Sequence, residues 1–95
     1  MSLVEIQKKV SPIFGKYGLK HAAVFGSVAR GSDTKKSDVD ILIRPGRAMG
    51  LIAFSRLIRE TEETLNRKVD MVTEKSVNKF LRPHIVGDLK TIYEG

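Results

Sequence analysis

Three aspartates and one Gly-Ser pair are the residues of this chain whose types and spacing point to chemistry. Gly26-Ser27 is followed after ten residues by Asp38-Val39-Asp40, and Asp70 stands in a separate apolar run, Lys68-Val69-Asp70-Met71-Val72. Alternate residues of a strand share a face, so Asp38 and Asp40 emerge together, roughly 6–7 Å apart along the backbone. Val39, Ile41 and Ile43 then point the other way, toward a core. Two acids side by side on a β surface repel, and a cation between them removes that cost. Two carboxylates joined by a third from a neighbouring strand suit Mg²⁺, a hard cation that takes oxygen ligands and commonly holds substrate phosphates as well. The set points to two-metal phosphoryl or nucleotidyl transfer.

Gly26-Ser27 supplies the matching phosphate grip. A glycine lets backbone approach a phosphate closely, the serine adds a hydroxyl donor, and a following helix N-terminus offers unpaired N–H groups. Arg30 stands one turn further on, where a guanidinium can meet a phosphate bidentately. Gly26 to Gly31 has the G-x-x-x-x-G spacing of a P-loop, but Ser32-Asp33 follows where Lys-Ser/Thr is required, which excludes a Walker-type NTPase. An EF-hand is excluded because the acids run straight into a β-branched strand, without the loop glycine or terminal glutamate. A nucleotide-sugar glycosyltransferase needs a larger donor domain than this chain supplies. Asp70 alone would read as an edge-strand acid that discourages aggregation; the combination gives it weight. His21 and His84 lack metal-pair spacing, and Tyr17 and Tyr93 read as packing residues on helix faces.

The elements that must position these residues follow from periodicity. Leu3, Ile6, Val10, Ile13/Phe14 and Tyr17 recur at helical spacing over residues 2–17, with Ser11-Pro12 predicting a kink or restart and Gly18 an end. His21 to Phe25 reads as a short buried strand running into a turn and a helical turn closed by Gly31. Asp38 to Arg44 is a second strand, stopped by Pro45-Gly46. Leu51, Phe54, Leu57/Ile58, Thr61 and Leu65 describe an amphipathic helix ending near Asn66, and Lys68 to Thr73 a third strand. Ser76 caps a last helical region, broken at Pro83, with Val77, Phe80/Leu81, Ile85, Leu89 and Ile92 inward. The order is α-β-α-β-α-β-α, an α/β (α+β) fold. If Gly26-Ser27, after strand one, and the acids, at the start of strand two, serve one ligand, those strands are antiparallel. A helical crossover makes strands two and three parallel. The expected architecture is a mixed sheet of three main strands with room for a short fourth, helices on one face and acids lining the other.

Composition narrows the class. The 95 residues, 41% of them hydrophobic, suit a single domain spanning 1–95. With no cysteine, disulfides and thiol chemistry are excluded. No apolar run approaches the roughly 20 residues of a membrane span, so a soluble, cytoplasmic protein is expected. Seventeen basic against eleven acidic residues give +6, which fits an anionic ligand or an acidic partner. The basic residues are scattered and no aromatic residues interleave with them, so direct nucleic-acid binding is not expected.

Phe25-Gly26-Ser27-Val28-Ala29-Arg30-Gly31, Ser37-Asp38-Val39-Asp40-Ile41-Leu42 and Val69-Asp70 resemble the minimal nucleotidyltransferases of the DNA polymerase β superfamily, in spacing and in flanking residues, over nearly the whole chain. The resemblance implies that Asp38, Asp40 and Asp70 hold two Mg²⁺ ions and act in catalysis, and that Gly26, Ser27 and Arg30 bind the phosphates of a nucleoside triphosphate, ATP. Attack on the α-phosphorus would transfer AMP and release pyrophosphate. Members this small resemble antitoxins that form a heteromeric complex with a helical HEPN-type RNase toxin and adenylylate its tyrosine. The alternatives are an antitoxin that acts by binding alone, and a nucleotidyltransferase whose acceptor is RNA or a small molecule.

Overall fold

The computed structural model describes residues 1–76 and 87–95. Helix α1 (Leu3–Lys16) leads into strand β1 (Leu19–Phe25), the short helix α2 (Gly26–Arg30), strand β2 (Val39–Pro45), helix α3 (Leu51–Leu65), strand β3 (Val69–Thr73), a 3-10 turn (Glu74–Ser76) and strand β4 (Lys90–Glu94). The strands form one sheet in the order β3-β2-β1-β4. β1 is antiparallel to both β2 and β4, and β2 is parallel to β3. This is the mixed sheet expected from the placement of the Gly-Ser pair and the acids, with β4 as the added edge.

Helix α1 begins at Ser2, whose hydroxyl accepts from the Glu5 amide at 3.1 Å, capping one of the donors a helix start leaves open. It then runs through Pro12 unbroken, against the predicted kink or restart. Ile6, Val10 and Phe14 are fully buried on both sides of the proline while Lys8 and Pro12 are exposed, so the carbonyl that loses its donor is left on the wet side. Helix α3 closes at Asn66, which takes the left-handed conformation (φ 54°) that asparagine tolerates better than other side chains. Thr61 is fully buried yet satisfied, its hydroxyl donating to the Leu57 carbonyl at 2.7 Å.

Helices α1 and α3 lie together over one face of the sheet. Val39, Ile41 and Ile43 of β2, with Ala22 and Val24 of β1 and Met71 of β3, meet Ile6, Val10, Phe14, Leu57 and Leu65 there. Each large apolar side chain so buried contributes about 1.5–3 kcal/mol. The alternation that sends these residues inward sends Asp40 and Leu42 to the opposite face.

Two further expectations are corrected. Leu89 and Ile92 do not extend a terminal helix: Lys90–Glu94 is a strand on the free edge of β1, where Ile92 is buried and Tyr93 meets Phe14 edge-on at 5.8 Å. An Ile-Tyr pair fits either period over so short a stretch, and the open edge of β1 decides it by offering backbone partners such as the Lys20 carbonyl, which accepts from Gly95 at 2.9 Å. The remainder of the predicted terminal helix, from Val77 through Ile85 with His84, lies outside the described residues. The second correction is Leu51, predicted on the inner face of α3 but 80% exposed: the helix starts one turn before its apolar stripe reaches the sheet.

Candidate active site

The sheet register assembles the acids. In the parallel pair Val39 stands opposite Val69 and Asp40 opposite Asp70, both near the starts of their strands. In the antiparallel pair Asp40 stands opposite Phe25, the last residue of β1, so the chain emerges from β1 at Gly26 directly against Asp40. Gly26 has φ 72°, and a Cβ built there would overlap the Asp40 carboxylate oxygen and lie 3.2 Å from its Cγ. Only glycine fits that contact. The Gly-Ser turn and the paired acids, separated by ten residues in sequence, therefore meet at one end of the sheet.

Asp40 is partly buried, and its carboxyl is pushed above the usual aspartate value of 3.8 by that burial first and then by the charges of Asp70 and Asp38, with Arg30 opposing. Asp38 and Asp70 are exposed. The three carboxylates sense one another without closing into a finished cage. Among the described residues, no group of three or more His, Cys, Asp or Glu side chains is placed to hold a metal ion as it stands. In donor chemistry they fit a hard divalent cation: oxygen ligands alone, net negative charge, and two of the three on side chains open to rotation.

From Gly26 onward the chain forms the five residues of α2, whose N-cap Phe25 is extended and offers its first turn no side-chain acceptor. Gly31 ends it in the left-handed conformation (φ 73°), and the Ser27 carbonyl accepts from Ser32 at 2.9 Å, which folds the turn back on itself. Ser27 is partly buried at the start of this element. Arg30 is not a lone cation: its Nη1 donates to Asp88 Oδ2 at 2.7 Å, tying α2 to the residues that enter β4. That pairing fixes the guanidinium beside the acid cluster, close enough to act on Asp40.

Sequence reading missed Arg67. Its side chain, 12% exposed, donates through Nη2 to the Asp33 carboxylate at 3.2 Å, the Thr34 carbonyl at 2.8 Å and the Ser37 carbonyl at 3.0 Å, and through Nε to the Ser37 carbonyl at 3.2 Å. It thereby clamps the loop that delivers Asp38 onto the residues that open β3, three positions before Asp70. The Val39 amide reinforces the joint by donating to the Lys68 carbonyl at 2.8 Å, and the Val69 amide by donating to Glu62 at 2.9 Å. The Arg67 hydrogen bond is also the chief reason the Asp33 carboxyl sits below its usual 3.8. One arginine among seventeen basic residues carries no signature of such a task; only its place between a helix end and an acid-bearing strand hinted at it.

Residues 8–95 match the family described as polymerase beta, nucleotidyltransferase. A protein of Methanocaldococcus jannaschii, named provisionally as a protein adenylyltransferase, is 39% identical over 88 residues, which make up 93% of this chain and 95% of the relative. The solved structure of a protein described provisionally as a minimal nucleotidyltransferase superposes with a TM-score of 0.80 at 29% identity, covering 95% of each chain. The same fold, at TM-score 0.72 and 21% identity, occurs in the complex of a tri-AMPylated Shewanella oneidensis HEPN toxin with MNT antitoxin, over 95% of this chain and 71% of that one.

Proposed function

This chain belongs to the polymerase β nucleotidyltransferase family, and from that premise we propose that it transfers AMP from ATP to a tyrosine hydroxyl of a helical HEPN-type RNase toxin, for which it serves as antitoxin. One observation carries the reading: Asp70 stands in register with Asp40 while Gly26 abuts the Asp40 carboxylate, which supports reading the acids and the phosphate grip as parts of one site. The M. jannaschii relative named for protein adenylylation and the AMPylated toxin complex support the choice of acceptor.

In this reading Gly26 and Ser27 hold the β- and γ-phosphates through backbone N–H groups and the serine hydroxyl. Arg30, steadied by Asp88, adds positive charge at the rim. Asp38, Asp40 and Asp70 would hold Mg²⁺, as two ions, and the bound cations would supply charge neutralisation on the triphosphate and on the attacking oxygen. The phenol oxygen attacks the α-phosphorus, a new P–O bond forms, and the bond to the β-phosphate oxygen breaks to release pyrophosphate. Asp70, exposed at the start of β3, takes the phenol proton. Catalysis rests on positioning and on charge complementarity.

The test is intact-mass spectrometry of a HEPN-type toxin incubated with this protein, ATP and Mg²⁺. One or more added AMP units are expected, absent with Asp40→Asn. Neutralisation of the toxin without a mass change, and equally by Asp40→Asn, would replace transfer with inhibition by binding alone.

A further inference from the structure

Two large hydrophobic side chains stand open next to each other on the first turn of α3: Leu51 is 80% exposed and Ile52 73%. Leu51 also lines a groove of about 750 Å³ together with the apolar residues Pro45, Met49 and Phe54. Arg44, Arg47 and Lys75 line the same groove, and no carboxylate among the described residues pairs with any of them. Its one acid, Glu74, faces His21 at 3.8 Å. The groove sits at the C-terminal ends of β2 and β3. The acids sit at the N-terminal ends of the same strands, about 16 Å away by the rise of five strand residues.

The apolar stripe of α3 thus continues one turn past what the described residues cover, and cations line the groove beside the exposed part. We propose that this end of the molecule is a second docking surface, separate from the acid site, and that its occupant is an acidic amphipathic helix of a partner protein. The apolar side of such a helix would cover Leu51 and Ile52, and its flanking carboxylates would meet Arg44, Arg47 and Lys75. A second copy of this chain is a poorer occupant: each copy carries +6 and would bring the same three cations to the joint. A nucleic acid would answer the cations but leave Leu51, Ile52 and Met49 without a use. The groove shares no residue with the acid site, so the proposal stands or falls independently of adenylyl transfer.

Fluorescence anisotropy with a labelled helical peptide of Leu and Glu, its Leu placed on one face, is the direct test. A Leu/Lys peptide of the same pattern and a labelled single-stranded oligonucleotide serve as controls. Saturable binding of the Leu/Glu peptide is expected, weakened about tenfold or more in the double variant Leu51→Ser/Ile52→Ser and, separately, in Arg44→Glu/Arg47→Glu. Unchanged ATP binding and circular dichroism in both variants would show that fold and acid site are intact. Four results would overturn the proposal: no saturable binding of the Leu/Glu peptide; equal binding by both variants; tighter binding of the oligonucleotide, lost only with the arginines; or a dimer in sedimentation that Leu51→Ser/Ile52→Ser dissolves.

Discussion

At one end of the β2–β3 pair, Asp38, Asp40 and Asp70 bring like charges together on backbone that is held from several sides. Gly26 closes against Asp40, Arg67 clamps the loop before Asp38, and Arg30 is tied to Asp88. At the other end, Arg44, Arg47 and Lys75 also gather like charges, but around Leu51 and Ile52, which nothing in the described chain covers. The first arrangement is costly in the protein alone, and the backbone that carries it is tied by these contacts. The second costs little because its charges stay in solvent. Repulsion that is braced in place suits the small, highly charged ligand proposed for the acid end; an open apolar turn with a cationic border suits the macromolecular partner proposed for the other.

The sharpest way to break that comparison is to remove a braced charge. Asp40→Asn is expected to lower adenylyl transfer by about 100- to 1000-fold, the scale of losing one preorganised electrostatic contact to a transition state. Thermal unfolding in EDTA should show no loss of stability at neutral pH, because the substitution relieves repulsion from Asp70 and Asp38 and removes a partly buried charge. If Asp40→Asn unfolds markedly earlier, the carboxylate is part of the scaffold and the cost assigned to this end is wrong. Gly26→Ala should lose on both counts. A methyl at φ 72° costs about 1–2 kcal/mol from backbone strain, and it must also displace the Asp40 carboxylate. Urea unfolding and ATP titration of the same preparation separate the two effects.

The acid end was largely legible in the sequence because period-two alternation fixes which face Asp40 takes, Asp38 enters on the residue just before β2 rather than within it, and the helical crossover fixes β3 parallel to β2. Register of Asp40 with Asp70 follows once their apolar neighbours, Val39 with Val69 and Ile41 with Met71, must share one face. What was not legible depends on tertiary proximity. Arg67 reaches across 30 to 34 positions to its loop partners, and no local pattern encodes that. Nor did the spacing of Leu89 and Ile92 distinguish helix from strand, since the vacancy on the β1 edge decided it. Leu51 kept helical phase but lay beyond the end of the core, which periodicity does not report.

Arg67 offers a more graded test of the bracing. Arg67→Lys keeps the charge but loses the planar fork that serves two carbonyls and Asp33 together. Unsatisfying the Thr34 and Ser37 carbonyls should lower unfolding free energy by about 1–3 kcal/mol. The informative reading is kinetic: the Mg²⁺ concentration for half-maximal transfer should rise, because the loop that presents Asp38 is loosened. A pure stability loss with unchanged Mg²⁺ dependence would make Arg67 a scaffold residue only. The same clamp has a pH signature. The folded Asp33 carboxyl lies below its usual 3.8, so its contribution to stability is present above that value and is lost as pH falls through the lower folded value. Asp33→Asn should therefore destabilise at pH 7 and converge with the unmodified protein in strong acid. Chemical unfolding across that range is the measurement.

The smallest effect belongs to the other end, and its smallness is the point. Leu51→Ser and Ile52→Ser replace side chains that are 80% and 73% exposed, so folding buries little of their apolar surface and stability should shift by no more than about 0.5 kcal/mol. Ile52→Ser loses a β-branched residue from the first turn of α3, where Gly50 supplies no capping side chain; the helix-propensity change between isoleucine and serine is close to nil. Leu51→Ser gives up slightly more, because leucine is the better helix former and its inner edge touches the groove with Phe54. The apparent midpoint of thermal unfolding should accordingly stay within a few degrees for either variant, and transfer activity on a free tyrosine-containing peptide should not change. A large drop for Leu51→Ser would mean that the first turn of α3 is already covered by this chain, and the contrast between a braced end and an open one would fail.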